Sequence, residues 1–347
     1  MRLGLNLRYL GPRNDHHNFP RLVREAERLG FSVVWVAEAF SSDAPSLLSW
    51  LAGQTATIGL GSAAMQISAR SPAMTAMTAA TIDTLSGGRF HLGLGVSGPQ
   101  VVEGWHGTRF GKPLARTREY VDIVRQVLEG TGPVTYSGEH YRLPLPDGPG
   151  KALRLGMRPV RARLPIYLAA VGPKNLELAG AIADGWLAVF VDPEFMPEHR
   201  KHLTAGGVDL DTFDIVANLP VVVGDGVATC LDRVRSYAMQ YLGGMGSREQ
   251  NFYGRLATRM GYGDAAAEVQ DCFLAGRMRD AASAVPDEFV DRTSVLGPVD
   301  RVADRLRAYA DAGVTTLSTI LFIRDADEGV RTLQDVATAL DKAGVGS

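Results

Sequence analysis

Five residues stand where their side chains could carry out acid–base chemistry or contact a small molecule. Asn6 ends the first strand-like run and Glu38 the second, while Glu103, Trp105 and His106 lie in the loop after the fourth. In a parallel barrel the carboxyl ends of all strands meet at one rim. A histidine and a carboxylate at that rim could exchange protons with a substrate. The alternative is structural, because either glutamate could accept main-chain hydrogen bonds and His106 could be a structural donor.

The fourth strand-like run, Phe90–Val96, carries two glycines on one face. Gly93 and Gly95 alternate with large apolar residues and lie beside Ser97. Glycine inside a strand often marks a place where a ligand or another backbone comes close. A flat ligand lying against bare main chain and close strand–strand packing in a barrel core explain this pattern equally well.

The segment before that run predicts a strand over 58–64 and then a helix. Ser71 can cap this helix, with Pro72 as its first residue. The residues that recur along it at helical spacing are Met74, Met77, Thr81 and Leu85. We interpret Met74 and Met77 as core residues rather than as part of a ligand surface.

Two motifs resemble nucleotide or anion sites. The run from Gly93 to Gly98 matches G-x-G-x-x-G, but its first two glycines lie within a strand and 99–111 is expected to be loop, which argues against a dinucleotide fingerprint. Val171, Gly172, Pro173 and Lys174 follow a strand and open a helix, so free N–H groups and a lysine could bind an anion. By local sequence alone, a plain turn with a solvated lysine is favoured.

About eight strand signals alternate with helices, which is typical of a (β/α)8 TIM barrel and an α/β fold. A doubly wound open sheet is the alternative. We expect one domain over 1–347 with two insertions: a hairpin at about 131–164, before strand 5, and a helical segment at about 243–291, before the last helix–strand unit.

Composition narrows the function classes. The chain has 347 residues, 46% of them hydrophobic, and a net charge of −2. We therefore expect neither a nucleic-acid nor a membrane partner. Cys230 and Cys272 are expected to be reduced core residues of a cytoplasmic protein. His199 and His202 share a helical face without an acidic or cysteine partner, so no metal site is expected.

The chain resembles the bacterial luciferase-like superfamily, in particular its coenzyme F420-dependent oxidoreductases of the methylene-tetrahydromethanopterin-reductase-like branch. The resemblance rests on VVWVAEAF, PIYLAAVGPKNLELAGAIADGW, VPDEFVDRTSVLGP and the long block GSAAMQISARSPAMTAMTAATIDTLSGGRFHLGLGVSGPQVVEGWHG. It implies a (β/α)8 barrel that holds a flavin or deazaflavin at the carboxyl ends of the strands.

The resemblance also implies roles for individual residues. A non-proline cis peptide is expected between Ala63 and Ala64, and Glu38 is expected above the cofactor ring. The residues expected to contact the cofactor are Asn6, Glu38, Ser62, Ala63, Ala64, Ser97, Gly98, Val102, Val171, Gly172, Pro173 and Lys174. The last four would take the phosphate. Ala39 stands where F420-dependent sugar-phosphate dehydrogenases carry a histidine, which argues against glucose-6-phosphate as substrate.

These observations predict an oxidoreductase that moves a hydride between reduced F420 and a C=C, C=N or C=O bond of a small organic substrate. Glu38, His106 and Glu103 are the candidates for proton handling, and Trp105 is expected to shape the substrate pocket. The alternatives are an FMN-dependent monooxygenase and a non-catalytic F420- or flavin-binding protein. Family habit predicts a homodimer or a higher homo-oligomer.

Overall fold

Eight short strands, separated by helices, close into a parallel barrel in the computed structural model, which describes residues 1–10, 15–161, 163–248 and 250–346. The barrel strands are β1 (Arg2–Asn6), β2 (Val33–Val36), β3 (Gly59–Ser62), β5 (Phe90–Gly95), β8 (Ile166–Ala169), β9 (Gly185–Val189), β10 (Asp214–Val223) and β12 (Thr316–Leu321). Each pairs with the next in this order, and β12 returns to β1. This closure confirms the expected (β/α)8 barrel and excludes an open doubly wound sheet.

Four short strands lie outside this ring. β4 (Met65–Gln66) continues the line of β3 and pairs with β5, and β11 (Val295–Gly297) pairs with the end of β10. β6 (Tyr136–Ser137) and β7 (Arg142–Leu143) form the antiparallel hairpin expected in the first insertion. β11 was not expected from the sequence, because three residues are too few to show a strand period.

The helices surround the barrel and bury one face each. They are α1 (Phe19–Arg28), α2 (Ala44–Ala52), α3 (Pro72–Leu85), α4 (Pro99–Gly104), α5 (Pro113–Glu129), α6 (Pro173–Ile182), α7 (Met196–Ala205), α8 (Val227–Met239), α9 (Phe252–Arg259), α10 (Gly263–Leu274), α11 (Met278–Ser283), α12 (Asp287–Arg292), α13 (Val299–Asp311) and α14 (Ala326–Ala343). Single turns of other helix types cover Asp15–Asn18 and Gln240–Gly244. None of the helices described is long and apolar enough to cross a membrane.

The face that α3 buries differs from the expected one. Ser71 caps the helix as predicted, accepting a hydrogen bond from the Met74 N–H at 3.2 Å. Met74 and Met77, however, are 51% and 50% exposed, and the fully buried residues include the alanines Ala76 and Ala79. The interpretation of the two methionines as core residues is therefore wrong. Small residues let α3 approach its neighbours closely, which leaves the long side chains on the outer face.

The interior of the barrel is filled by three rings. Trp35, His91 and Tyr167, which we call the aromatic plug, have ring centroids 5.2–6.0 Å apart. Glycines paired with them on the neighbouring strands make room for two of these rings: a Cβ on Gly61 would lie 2.2 Å from the Trp35 ring, and one on Gly185 would lie 2.4 Å from the Tyr167 ring. These glycines are therefore required by packing.

The helical insertion builds a second apolar cluster beside the barrel. Helices α9 to α12 pack with α8 around Phe190, and the cluster includes Leu256, Val269 and Phe289. The insertion thus lies as expected between barrel strand 7 (β10) and the last helix–strand unit. Cys230 and Cys272 are both buried and unpaired, as expected for reduced core residues.

Candidate functional site

Small residues line the barrel where β3, β5 and β8 end. The peptide between Ala63 and Ala64 is cis, at the position the resemblance implied. A Cβ built on Gly95 would lie 3.4 Å from the Ala64 Cβ and 3.5 Å from the Ala169 Cβ. All four of these residues are partly exposed at the strand ends. They form a shallow apolar surface, the alanine–glycine cradle (Ala63, Ala64, Gly95 and Ala169), that a flat ligand could lie against.

Gly93, two residues earlier on the same strand, serves packing instead. A Cβ there would lie 1.9 Å from the carbonyl oxygen of Ser62. The buried Ser62 hydroxyl accepts from the Gly93 N–H at 2.9 Å and donates to the Gly93 carbonyl at 2.8 Å. Close strand–strand packing therefore explains Gly93, and the explanation by a flat ligand is left for Gly95. The Ser62 hydroxyl is used to join β3 to β5 and is not offered to a ligand.

Glu38 holds two loops together. Its side chain is 5% exposed, and its two oxygens accept from the Arg70 guanidinium at 2.6 and 2.9 Å. The same carboxylate accepts from the main-chain N–H groups of Ala44 and Gln66 at 3.0 and 3.2 Å. A carboxylate with four such donors is a positioning group for the segment after the cis peptide. This geometry supports the structural alternative for Glu38 over its proposed role in proton transfer.

The segment after β5 contains a helix where a loop was expected. α4 begins at Pro99 with Gly98 as its N-cap, so the expectation of loop over 99–111 is wrong for its first six residues. Proline at the first helical position and glycine before it form a local start signal that the sequence reading passed over. The dinucleotide fingerprint still fails, because Gly93 and Gly95 both lie within β5.

Val102 is the residue of α4 that faces inward. It is 1% exposed and lines a cavity of about 10 Å³ with Ile67, Val96 and Phe110 among its neighbours. Ser97, just before the helix, has φ +58°, in the left-handed region that costs a residue with a side chain roughly 1–3 kcal/mol. Strain of this kind directly beside the alanine–glycine cradle is typical of ligand sites.

The three remaining rim residues are placed differently from one another. Glu103 is exposed and accepts from the Phe110 N–H at 2.9 Å, which again fits the structural alternative. Trp105 is 68% exposed. His106 is partly buried, and its Nε2 has no hydrogen-bond partner among the residues that the structure describes. Of the three proton-handling candidates, His106 is the one with a buried ring nitrogen that no described residue bonds.

The turn that opens α6 has the features of an anion site, but the cation that reaches it is not the expected lysine. Gly172 is the N-cap and no described side chain caps the helix, and a Cβ on Gly172 would have no described atom within 4 Å. Lys174, the expected cation, is 76% exposed and donates to Glu177 at 2.7 Å. Arg259 of α9 instead reaches the turn and donates to the Val171 carbonyl at 2.8 Å.

Arg259 is therefore the functional candidate that the sequence reading missed. Its Nε is buried without a partner among the described residues, and burial lowers the pKa of its guanidinium. No local signal could have revealed it, because it lies 88 residues from Val171 in the helical insertion. With Val171, Gly172 and Pro173 it forms what we call the α6 turn site.

Asn6 is held by other residues at the end of β1. Its Nδ2 donates to Asn218 Oδ1 at 2.8 Å, and its Oδ1 accepts from the Arg8 N–H at 2.8 Å. Arg8 has φ +60° and Phe190, just after β9, has φ +51°. With Ser97, three residues within two positions of the end of a barrel strand therefore adopt left-handed backbone, and all three lie at the same end of the barrel.

Other parts of the described chain offer weaker sites. A surface concavity of about 360 Å³ is lined by the hairpin residues Tyr136, Arg142 and Pro144 among others, and contains none of the candidate residues. Within the described ranges no three His, Cys, Asp or Glu side chains are grouped as metal ligands. His199 packs against Trp186, with its ring centroid 5.1 Å away.

Comparison with known proteins gives a consistent family result. A family model described as luciferase-like monooxygenase matches residues 5–316. A protein of Mycobacterium tuberculosis that carries the provisional name coenzyme F420-dependent oxidoreductase is 45% identical, covering 91% of this chain and 94% of that protein. A 5,10-methylenetetrahydromethanopterin reductase of Archaeoglobus fulgidus is 31% identical, covering 88% and 89%.

Solved structures agree on the fold. The coenzyme F420-dependent tetrahydromethanopterin reductase of Methanopyrus kandleri has a TM-score of 0.80 at 23% identity, with 97% of this chain and 98% of that chain covered.

Proposed function

The chain belongs to the luciferase-like monooxygenase family, and from this premise we propose that it is an oxidoreductase dependent on coenzyme F420. The observation that carries the proposal is the alanine–glycine cradle beside the cis peptide Ala63–Ala64. Its exposed atoms are methyl groups and main chain, which suit the face of a planar ring. The name of the relative with 45% identity supports F420 as the cofactor that supplies this ring.

The residues at the mouth fit the parts of this cofactor. The cradle would lie behind the deazaflavin ring, with Ser97, Gly98 and Val102 beside it. The α6 turn site would hold the phosphate, since a free helix N-terminus and the Arg259 guanidinium both favour an anion. Bound F420 supplies two-electron hydride chemistry at C5, for transfer to or from a C=C, C=N or C=O bond.

The protein's own part is placement and proton supply. Glu38 and Arg70 fix the segment that follows the cis peptide, which keeps the cradle in one position. His106 Nε2 is our candidate for holding or giving the proton that must accompany hydride transfer. Trp105 and the helical insertion would bound the substrate space. Substrate and cofactor must be held about 3–3.5 Å apart at the reacting carbons, and this rigid frame serves that need.

Two measurements test the proposal. Purified protein is titrated with F420 and with FMN while cofactor fluorescence is followed, and the oxidation of reduced F420 is then assayed against unsaturated, imine and carbonyl compounds. We expect F420 to bind more tightly than FMN and at least one compound class to be reduced. Preferential binding of FMN would favour the monooxygenase alternative. Binding of F420 without hydride exchange would favour the non-catalytic alternative.

We also propose a homodimer in the cytoplasm. The outer face of α2 and α3 exposes Trp50, Met74, Met77 and Leu85, each at least 40% exposed. This face contains no exposed charged residue of either helix, so two copies could meet there without like-charge repulsion. Two unpaired cysteines suit a reducing compartment. Light scattering on the wild type and on a Met74→Glu/Met77→Glu variant should give a dimer and a monomer respectively.

A further inference from the structure

Arg8 is an exposed cation at the open end of the barrel. None of the carboxylates whose side chains the structure describes forms an ion pair with it. Its guanidinium carbon lies 6.0, 5.9 and 5.8 Å from the ring centroids of Tyr9, Tyr237 and Phe322. A guanidinium held by ring faces keeps its five N–H donors for another group. The geometry therefore offers a receptor for an anion.

The main chain fixes this arginine in place. Arg8 has φ +60°, a conformation that glycine adopts readily and that residues with side chains avoid. Its N–H donates to Asn6 Oδ1 at 2.8 Å, and its carbonyl accepts from the Ala37 N–H at 2.8 Å. Asn6 is itself held by Asn218. An arginine kept in a strained conformation by buried amides is typical of a functional position.

A wall of aromatic rings adjoins the guanidinium. Tyr237 and Tyr241 have ring centroids 4.7 Å apart, Tyr241 and Tyr253 lie at 4.8 Å, and Tyr237 lies 5.6 Å from Phe322. Burial raises the pKa of Tyr237 and of Tyr241, so both hydroxyls stay protonated. The wall is thus neutral, with neighbouring rings at angles of 48–83° to one another, and the charge beside it comes from Arg8.

The anion that Arg8 receives is distinct from the cofactor's phosphate. Arg8 follows β1, and the α6 turn site follows β8, which is the fifth strand of the eight-strand ring counted from β1. The two cationic positions therefore lie on opposite sides of the mouth. A cofactor with its phosphate at the α6 turn leaves the β1 side to the substrate.

We propose that Arg8 binds the carboxylate of the substrate, and that the substrate is a carboxylic acid with a planar, aromatic body that lies against the tyrosine wall. This inference rests on the proposed function, because the bound acid is a substrate only if the protein is an oxidoreductase. Guanidinium and carboxylate match in shape and form paired hydrogen bonds, while the tilted tyrosine rings can pack face-on or edge-on against an aromatic group.

The test compares acids with their uncharged amides. Binding of benzoate, phenylacetate and cinnamate, and of the three corresponding amides, is measured by calorimetry on the full chain without cofactor. We expect each acid that binds to do so at least tenfold more tightly than its amide. Arg8→Met and Arg8→Gly should remove this preference and leave amide affinity within twofold. Arg24→Met, on the outer face of α1, is the matched control and should keep the preference.

Arg8→Gly guards against a folding defect, because glycine suits φ +60° and should give a melting temperature no lower than that of the wild type. Equal affinity for acids and amides in the wild type, survival of the preference in Arg8→Met, or no binding of any acid at millimolar concentration would each overturn the proposal.

Two further binding measurements, with F420 and with FO, distinguish a substrate carboxylate from the acidic tail of the cofactor. F420 carries an acidic tail that its precursor FO, the bare deazaflavin with its ribityl chain, lacks. We expect Arg8→Met to bind both as the wild type does. Weaker binding of F420 with unchanged binding of FO would assign Arg8 to the cofactor's tail and overturn the substrate assignment. Failure of the wild type to bind F420 would remove the proposed function, whereas the acid preference is measured without cofactor and would stand separately.

Discussion

The barrel interior and the carboxyl-end mouth use the same residue type for opposite purposes. In the interior, Gly61 and Gly185 give their space to the rings of Trp35 and Tyr167. At the mouth, Gly95 faces only the methyl groups of Ala64 and Ala169 and leaves the space open. A strand glycine is therefore not evidence of a ligand until the atoms that its Cβ would meet are known.

The backbone shows the same division. The strands around the aromatic plug keep their regular pairing, and Tyr167 donates to Asp214 at 3.0 Å near the start of β10. Left-handed residues appear just beyond the strands, at Arg8, Ser97 and Phe190. Barrel proteins commonly place stability at the amino-terminal end and chemistry at the other. The contrast in this chain fits that division, and the following experiments can break or sharpen it.

Gly93→Ala should have the largest effect. Its new Cβ would lie 1.9 Å from the Ser62 carbonyl, which is main chain and cannot rotate away. We expect a loss of about 3 kcal/mol or more in the free energy of unfolding, measured by denaturant titration. A variant as stable as the wild type would show that the β3–β5 contact is loose, and the division between Gly93 and Gly95 would fail.

The second-largest expected effect is a loss of stability at acidic pH, caused by His91 in the aromatic plug. Burial, with a smaller contribution from Arg161, lowers the pKa of His91 from 6.5 to about 4. The folded state therefore keeps this ring neutral, while the unfolded chain protonates it below pH 6.5. The contribution of the neutral His91 ring to the free energy of unfolding is complete above pH 6.5. It is lost as the pH falls to about 4, a change of about 3 kcal/mol.

His91→Phe should flatten the fall in stability between pH 6.5 and pH 4, followed by thermal unfolding at several pH values. The slope will not vanish, because burial also lowers the pKa of His199 to about 4. Equal slopes for His91→Phe and the wild type would contradict the burial of a neutral imidazole in the plug.

At the mouth, His106→Gln should lower turnover by about 100-fold if Nε2 handles the proton, since general acid–base groups contribute on this scale. Steady-state kinetics with reduced F420 and an accepted substrate measure it. Cofactor affinity and melting temperature should stay as in the wild type. Glu103→Gln, whose carboxylate accepts from the Phe110 N–H, is the comparison and should change turnover less than threefold.

Arg259→Ala should have the smallest of these effects, about a tenfold loss of F420 affinity, or about 1.4 kcal/mol. The guanidinium already donates a hydrogen bond to the Val171 carbonyl, so fewer of its N–H groups remain to bind a phosphate. FO lacks the phosphate and should bind as before, as measured by fluorescence titration. Lys174→Ala is the matched control; a greater loss there than in Arg259→Ala would restore the lysine as the main cation.

The sequence was sufficient for features that depend on periodicity and local signals. Alternating strands and helices predicted the barrel, and Ser71 with Pro72 predicted the start of α3. The resemblance predicted the cis peptide at Ala63–Ala64. Periodicity alone could not decide which face of α3 is buried, because alanines and methionines both repeat at helical spacing there.

Contacts between distant segments lay beyond the sequence. Nothing local distinguishes Glu38 as a proton donor from Glu38 as a partner of Arg70, 32 residues away. The arrival of Arg259 at the α6 turn depends on how the helical insertion folds back. Gly93 and Gly95 differ only in what stands opposite them on neighbouring strands. In each case the missing information was the identity of a neighbour in space.

The most direct test of this account is the affinity of Gly95→Ala for F420, measured beside its melting temperature. The new methyl group would stand between Ala64 and Ala169 in the cradle, against which the ring is proposed to lie. We predict a melting temperature equal to that of the wild type and an F420 affinity at least tenfold lower. Unchanged affinity in a stable Gly95→Ala protein would contradict the placement of the ring in the alanine–glycine cradle.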